Sequence, residues 1–427
     1  MKTQIQNPQW VESHAFLPSI HFEIKFNKYV LKDKVDINIK DNKSPKELKE
    51  KKEKIRKIFY ASHIDRFIYK YYGELLNNAY NLYTCKHQID EISLAYRNNK
   101  EGLNNIDFAH EVFDFLLLQD QAVIIALDFS SFFDNINHRT LKENLKTVLG
   151  CNELPNDFFK VYKNLTEFTY VHKNNVENFL KSKYGEKQLN KLLKEKMLPK
   201  IMDSIEFREF KKENLLKNKK PYGIPQGSGM SAVCSNIHLI HFDQELKNWA
   251  DSKNALYRRY CDDLILILPV KNSCHSLVAM LEEEVYQIIK KYRKDGLLIQ
   301  KEKTEVRIYQ NDLIINKQGE KSKLDYLGFV TDGKTIKIRE KSLFKYYCRA
   351  YRKVDVCRRI TFVTGEKFER KKLYKIYTHL GYRYKKHGNF ISYANKAHKK
   401  MSTLKAKSLI KNQVKRHWSK IQKRINA

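Results

Sequence analysis

The sequence is short of acid. Its 427 residues carry 49 Asp and Glu against 82 Lys and Arg, a formal charge of +33. Self-repulsion of that size calls for a polyanionic partner, nucleic acid first and an acidic membrane surface second. No two of the seven cysteines (Cys85, Cys151, Cys234, Cys261, Cys274, Cys348, Cys357) stand in CxxC spacing. That spread argues against a zinc ribbon or a disulfide framework and for a reducing compartment. No apolar run approaches membrane-spanning length, and Met1 to Gln6 lack the apolar core of a signal peptide. A cytoplasmic protein with no membrane partner is expected. Internal repeats and long low-complexity tracts are also missing, so the length suits two or three domains or one multi-lobed fold.

What is present is aromatic and basic. The 26 Tyr and 23 Phe, interleaved with cations, suit base stacking as well as phosphate contact. The last stretch, 341–427, holds 26 Lys and Arg against three acids (Asp355, Glu366, Glu369). Its net +23 and helical texture predict a separate basic lobe. Residues 1–30 are read as a short extension packed on the body, and Lys46 to Lys57 as a charged helix or a solvated loop. From Ile64 to Leu76 apolar residues recur at spacings of three and four, an amphipathic helix. Residues 172–220, rich in Lys and Asn, are read as a basic insertion with helical stretches. Pro221 to Gly229 must be loop.

Two apolar runs stand out: Ala122 to Leu127, ending on Asp128, and Leu264 to Leu268, beginning after Asp262-Asp263. Unbroken Leu, Ile and Val of this length read as strands buried on both faces. Ala255 to Tyr257 supplies a shorter run before the acids, which places Asp262 and Asp263 at a hairpin tip. The plain alternatives are a solvated Asp-Asp turn and, for Asp128, a helix N-cap after a strand. If the runs lie side by side, three carboxylates converge. Hard divalent cations take such oxygen ligands, and a pair of ions can clamp the two reacting oxygens of a phosphoryl displacement. Asp134 is read as a local cap or ion-pair partner.

These residues carry a family resemblance. Asp128-Phe129-Ser130-Ser131-Phe132-Phe133-Asp134-Asn135-Ile136-Asn137-His138 resembles the A motif of bacterial reverse transcriptases related to group II introns and retrons. Gly223-Ile224-Pro225-Gln226-Gly227 is similar to the B motif, and Tyr260-Cys261-Asp262-Asp263 to the YxDD signature. Leu298 to Thr304 resembles the D motif and Tyr326-Leu327-Gly328-Phe329 the E motif, or primer grip. Five motifs in the family's order cover roughly residues 54–340. Val363-Thr364-Gly365 lies too late to be the retron Val-Thr-Gly motif, whose place holds Leu327-Gly328-Phe329. The YCDD signature, the A motif and the short basic tail around His387-Gly388-Asn389-Phe390 are most similar to the defence-associated reverse transcriptases, type 2.

The resemblance implies an α+β right-hand polymerase with an antiparallel palm sheet and a helical basic thumb. Its parts would be an N-terminal extension (1–53), fingers (54–115), palm (116–340) with the insertion at about 172–220, and thumb (341–427). Asp128, Asp262 and Asp263 would hold two magnesium ions, with manganese as a substitute. Lys303 would stabilise or protonate the leaving pyrophosphate. Lys54, Arg56, Phe129 and Gln226 would meet the dNTP, with Phe133 as steric gate against a ribose 2′-hydroxyl. Arg97, Lys100, Gly227, Leu327 and Gly328 would meet template and primer. The implied activity is RNA-directed DNA synthesis on a structured non-coding RNA, giving cDNA in anti-phage defence. Template-independent DNA synthesis and a catalytically idle RNA-binding or splicing cofactor are the alternatives. The oligomeric state stays open.

Overall fold

The structure is a computed structural model that describes residues 2–31, 49–195, 197, 200–299, 304–378 and 388–427. The chain forms two compact units. The first comprises Met1–His87, Ser130–His241 and Tyr292–Leu298; the second comprises Gln88–Phe129, Phe242–Lys291 and Ile299–Ala427.

The first unit is built on a sheet whose leading pair is Ser19–Leu31 against Lys49–Tyr60, antiparallel from Ile20↔Tyr60 to Leu31↔Lys49. This corrects two expectations: the N-terminal segment is no mere extension, and the Lys-rich stretch is neither helix nor loop where it is described. Over residues 55–60 the strand half-buries Ile58 and Phe59 while Arg56 and Lys57 stand in solvent, an extended arrangement that a hairpin accommodates without a strict alternation. Thr169–His172 and Leu216–Lys217 extend the sheet. Between those two strands lie three helices, Lys173–Tyr184, Glu186–Glu195 and Ser204–Asn214. Val171, Val176, Leu180, Leu189 and Phe210 form a small core of their own there. The long helix His63–Lys86 buries Ile68, Tyr72, Leu76 and Tyr80 at helical spacing.

The second unit is organised by a five-stranded antiparallel sheet. In spatial order its strands are Leu256–Tyr260, Asp263–Pro269, Gln121–Asp128, Glu305–Gln310 and Leu313–Asn316. The two apolar runs are its inner strands, and Ala122, Val123, Ile124, Ile265, Leu266 and Ile267 are wholly buried. Helix Asn105–Leu117, closed at its start by a reciprocal Asn104–Asp107 capping box, packs its apolar side into the same core. A smaller sheet joins Leu324–Tyr326, Phe329–Thr331, Thr335–Ile338 and Lys407–Ser408. The basic C-terminal helices Glu340–Thr364, Arg370–Tyr377 and Phe390–Met401 share that core through Ala350, Val354, Leu373, Ala394 and Met401. Val363-Thr364-Gly365 proves to be a helix end, with Gly365 at φ 71 as its left-handed cap. No described helix is long and apolar enough to cross a membrane.

Candidate active site

The strand register brings the acids together. In the antiparallel pair formed by Gln121–Asp128 and Asp263–Pro269, Asp128 stands directly opposite Asp263. Residues in that relation share one sheet face with Cβ atoms about 5 Å apart, where two like charges destabilise the pair. Tyr260 pairs with Asp263 across the next strand, so Cys261 and Asp262 form a two-residue hairpin tip. The Asp262 carbonyl accepts from the Phe129 amide at 3.3 Å, which ties that tip to the end of the Asp128 strand. Cys261 sits at φ 62. Any residue with a side chain pays about 1 kcal/mol or more for that conformation, a strain typical of functional turns. Asp128 and Asp262 are half-buried and Asp263 is exposed at its edge.

The electrostatics follow the geometry. Asp263 is pushed up to about 6: although one edge meets solvent, the surrounding protein crowds water from its carboxylate, and the charges of Asp262 and Asp128 add to the rise. Arg339 pulls the other way, but it is itself paired with Asp325, Nε to Oδ1 at 2.8 Å. The three acids therefore feel one another across the turn. Among the described residues no group of three or more His, Cys, Asp or Glu side chains is gathered tightly enough to hold an ion as the side chains stand. The donor chemistry nonetheless fits a hard divalent cation: oxygen ligands only, with a mutual repulsion that a cation relieves.

The other residues singled out in the sequence divide between the units. In the second unit, Phe129 is buried and packs edge-on against Phe242, so its ring belongs to the core. Arg97 is fully enclosed; its guanidinium grips Asp90 and the Ser93 carbonyl, while Lys100 binds the same carboxylate at 2.6 Å. Burial opposes ionisation of Asp90, yet Lys100 and Arg97 hold its carboxyl well below the usual carboxylate range. Both cations thus shape the 88–104 segment. Leu327 and Gly328, at φ 45 and 91, form the tip of a hairpin closed by Tyr326↔Phe329, a mirror-image turn suited to sheet twist. Asn105 Nδ2 donates to the Leu327 carbonyl at 2.9 Å and fixes that tip.

In the first unit, Phe133 is half-buried with its ring 5.8 Å from that of the buried Phe132. Its carbonyl accepts from Ile224 at 2.9 Å, and His138 Nε2 donates to the Gly223 carbonyl at 2.7 Å. These bonds lock the A motif to the B motif. Gln226 is half-buried, followed by Gly227 at φ 104, where a Cβ would meet nothing closer than 3.9 Å; backbone conformation alone demands glycine. Burial raises the Asp134 carboxyl above its ordinary value, and the charges of Lys57 and Lys220 pull the other way. Arg56, exposed on its strand, lies over the Phe26 ring at 5.5 Å. Lys54 is two residues along the same strand, with its side chain outside the described residues. Asp65, eleven residues after Lys54 and nine after Arg56, is buried and accepts from His14 Nε2 and the Leu17 amide. Lys303 lies outside the described residues.

Sequence reasoning missed Arg259 and Asp243. Their side chains are 0% and 1% exposed and form an ion pair beside the YCDD turn. Arg258 is buried as well, at 7% exposed, and two adjacent Arg in so basic a chain read as surface cations. The one available clue was their place between Tyr257 and Tyr260 in the short strand that leads into the turn.

An antiparallel sheet that sets Asp128 opposite Asp263 beside a hairpin tip, within an α+β architecture, is consistent with the palm of the right-hand polymerase fold. The sequence profile of the family described as "Reverse transcriptase (RNA-dependent DNA polymerase)" matches residues 45–331, and the chain belongs to that family. Solved structures with some likeness include apo telomerase from Candida tropicalis truncated from its C-terminal domain, at 13% identity, TM-score 0.44, covering 67% of this chain and 52% of that one. Telomerase from Candida albicans in complex with the TWJ fragment of telomeric RNA gives 12% identity and TM-score 0.41, covering 98% of this chain and 58% of that one. The chain thus spans little more than half the length of these structures, and likeness of this degree says nothing about substrate. No curated protein matches the chain.

Proposed function

We propose that this chain is an RNA-directed DNA polymerase that extends a primer 3′-hydroxyl with dNTPs on an RNA template. The observation that carries this reading is the register that sets Asp128 opposite Asp263, with Asp262 at the adjoining turn. Asp128, Asp262 and Asp263 would hold two divalent cations, magnesium with manganese as a substitute, which when bound neutralise charge on the attacking and leaving oxygens. The chain's own contribution is positioning. The sheet fixes the carboxylates, the Leu327–Gly328 turn offers a rigid tip to the primer, and Lys54, Arg56 and Gln226 would orient the triphosphate and base. Lys303 is proposed as proton donor to pyrophosphate.

Phe133 is proposed as the sugar gate, and Phe133→Ala is expected to reduce dNTP-over-rNTP preference by about 10-fold or more, since a bulky ring is what crowds the 2′-hydroxyl. Competition assays with paired dNTP and rNTP check this; unchanged discrimination would remove Phe133 from that role. The lobe at 341–427, with its net +23, is proposed as a thumb that holds duplex by its phosphates. RNA affinity is accordingly expected to fall by about 10³-fold between 50 and 200 mM salt if six or more phosphates are neutralised. Filter binding across that range tests it, and a flat response would exclude the lobe as the binding surface.

The likeness of the YCDD signature and A motif to defence-associated enzymes supports a finer reading: the template is a structured non-coding RNA and the cDNA serves anti-phage immunity. Sequencing the RNA and DNA that accompany the protein purified from cells tests both levels. One recurrent RNA with complementary DNA supports the proposal; DNA with no complementary RNA points to template-independent synthesis.

A further inference from the structure

Among the described residues, Arg259 is the largest side chain that is fully buried. Its Nε donates to Asp243 Oδ1 at 2.9 Å and its Nη2 to Oδ2 at 2.6 Å, the two-pronged geometry that a planar guanidinium supplies and an ammonium cannot. Asp243 lies on helix Ile240–Ser252 and also accepts from the Tyr257 hydroxyl at 2.7 Å. The remaining nitrogen, Nη1, donates to the carbonyl of Cys261 at 2.9 Å. The Arg259 backbone is held as well, its N–H by the Ile92 carbonyl at 2.8 Å and its carbonyl by the Leu94 N–H at 2.9 Å.

A wholly buried ion pair adds little net stability, because stripping water from both charges offsets their attraction. What it adds here is direction. The turn it touches carries Cys261 in the left-handed region at φ 62, a conformation that relaxes unless something outside the turn holds it. Arg259 reaches that turn from a strand fixed at both its backbone groups and from a helix fixed through Asp243. We propose that the Arg259–Asp243 pair is a positioning device that holds the Cys261 carbonyl and thereby aims Asp262 and Asp263 at Asp128. This rests on reading those three acids as the reacting centre. Arg259 itself touches no substrate.

The turn reports its own order through the Cys261 thiol, which is 4% exposed, while Cys234 at 0% and Cys357 at 3% serve as buried references elsewhere. Arg259→Lys keeps the charge but cannot span both Asp243 and the Cys261 carbonyl. In timed iodoacetamide labelling read by peptide mass spectrometry, it is expected to label Cys261 about tenfold faster than the unaltered protein, with Cys234 and Cys357 still protected. Its kcat for dNTP incorporation is expected to fall about 10–100-fold while the dNTP KM stays within about threefold, the signature of a misaimed support. Should Arg259→Lys fail to fold, Asp243→Asn gives the milder perturbation with the same expected selectivity. Wild-type labelling at Cys261, or exposure of all three thiols together, would overturn the proposal, since the pair would then support nothing local or only the fold at large. The thiol readout needs no catalysis. Loss of the polymerase reading would show separately, as incorporation surviving Asp262→Ala/Asp263→Ala.

Discussion

The Asp262→Ala/Asp263→Ala protein is expected to lose about 10³-fold or more of its dNTP incorporation while binding RNA within about twofold of the unaltered chain. The catalytic part follows from the register: Asp128 left without its opposed carboxylate has no second oxygen set with which to share a cation. RNA binding is spared because the positive charge lies elsewhere, most of it beyond residue 340. The same variant makes a statement about stability. Asp263 is pushed up to about 6 in the folded protein, above an ordinary aspartate. A carboxyl raised in this way favours the fold while it is protonated, at low pH, and that contribution is lost as pH rises through about 6. At pH 7.5 without divalent ions the charged Asp263 is therefore a cost to the fold, and the double variant is expected to melt no lower than the unaltered protein. A residue kept at a cost to the fold is kept for function. Primer extension and thermal denaturation on the same preparations check both halves; lost activity accompanied by a collapsed melting temperature would assign the acids a merely structural role.

Gly296→Ala is expected to destabilise the first unit by about 3–5 kcal/mol, lowering its melting temperature by roughly 10 °C. Gly296 has φ +94, and a Cβ built there would stand 1.8 Å from the Asn135 carbonyl oxygen and 2.7 Å from its carbon. Neither neighbour is a flexible side-chain tip, so backbone must move. Around this crossing Thr140 Oγ1 donates to Asp295 Oδ1 at 2.5 Å, His238 Nε2 donates to the Asp295 carbonyl at 2.8 Å and Asn137 Nδ2 donates to the Lys294 carbonyl at 3.3 Å. The segment 292–298 is thus strapped across the turn that carries Phe133. Dislodging it should disturb the turn that carries Phe133 while leaving Asp128, Asp262 and Asp263 unsubstituted. A melting temperature within about 2 °C of the unaltered protein would mean the strap is loose.

The parts of this protein legible in its sequence are those where burial writes a pattern. Ala122–Leu127 and Leu264–Leu268 announced inner strands because both faces are covered, the first running into Asp128 and the second starting from Asp263. The turn was legible for the same reason, since a short apolar run preceded it. Lys49–Tyr60 was not, because its apolar residues, Ile55, Ile58 and Phe59, are few and bunched at one end of a Lys-rich background, with no alternation to mark a strand. The Arg259–Asp243 pair was hidden for the opposite reason: in a chain with 82 cations, one arginine turned inward looks like the rest. Arg97 was legible as a basic residue in a family position but not as one enclosed on Asp90, since a partner seven residues away is invisible without the backbone between them. Charge is readable in sequence, whereas its direction is decided by the fold.

The measurement that bears most directly on the central claim is extension of a primer annealed to an RNA of defined sequence, with the four dNTPs and magnesium, followed by sequencing of the product. The complement of the template is predicted from the intact chain, and no product from Asp128→Ala. Additions unrelated to the template, or synthesis that persists without Asp128, would contradict the account.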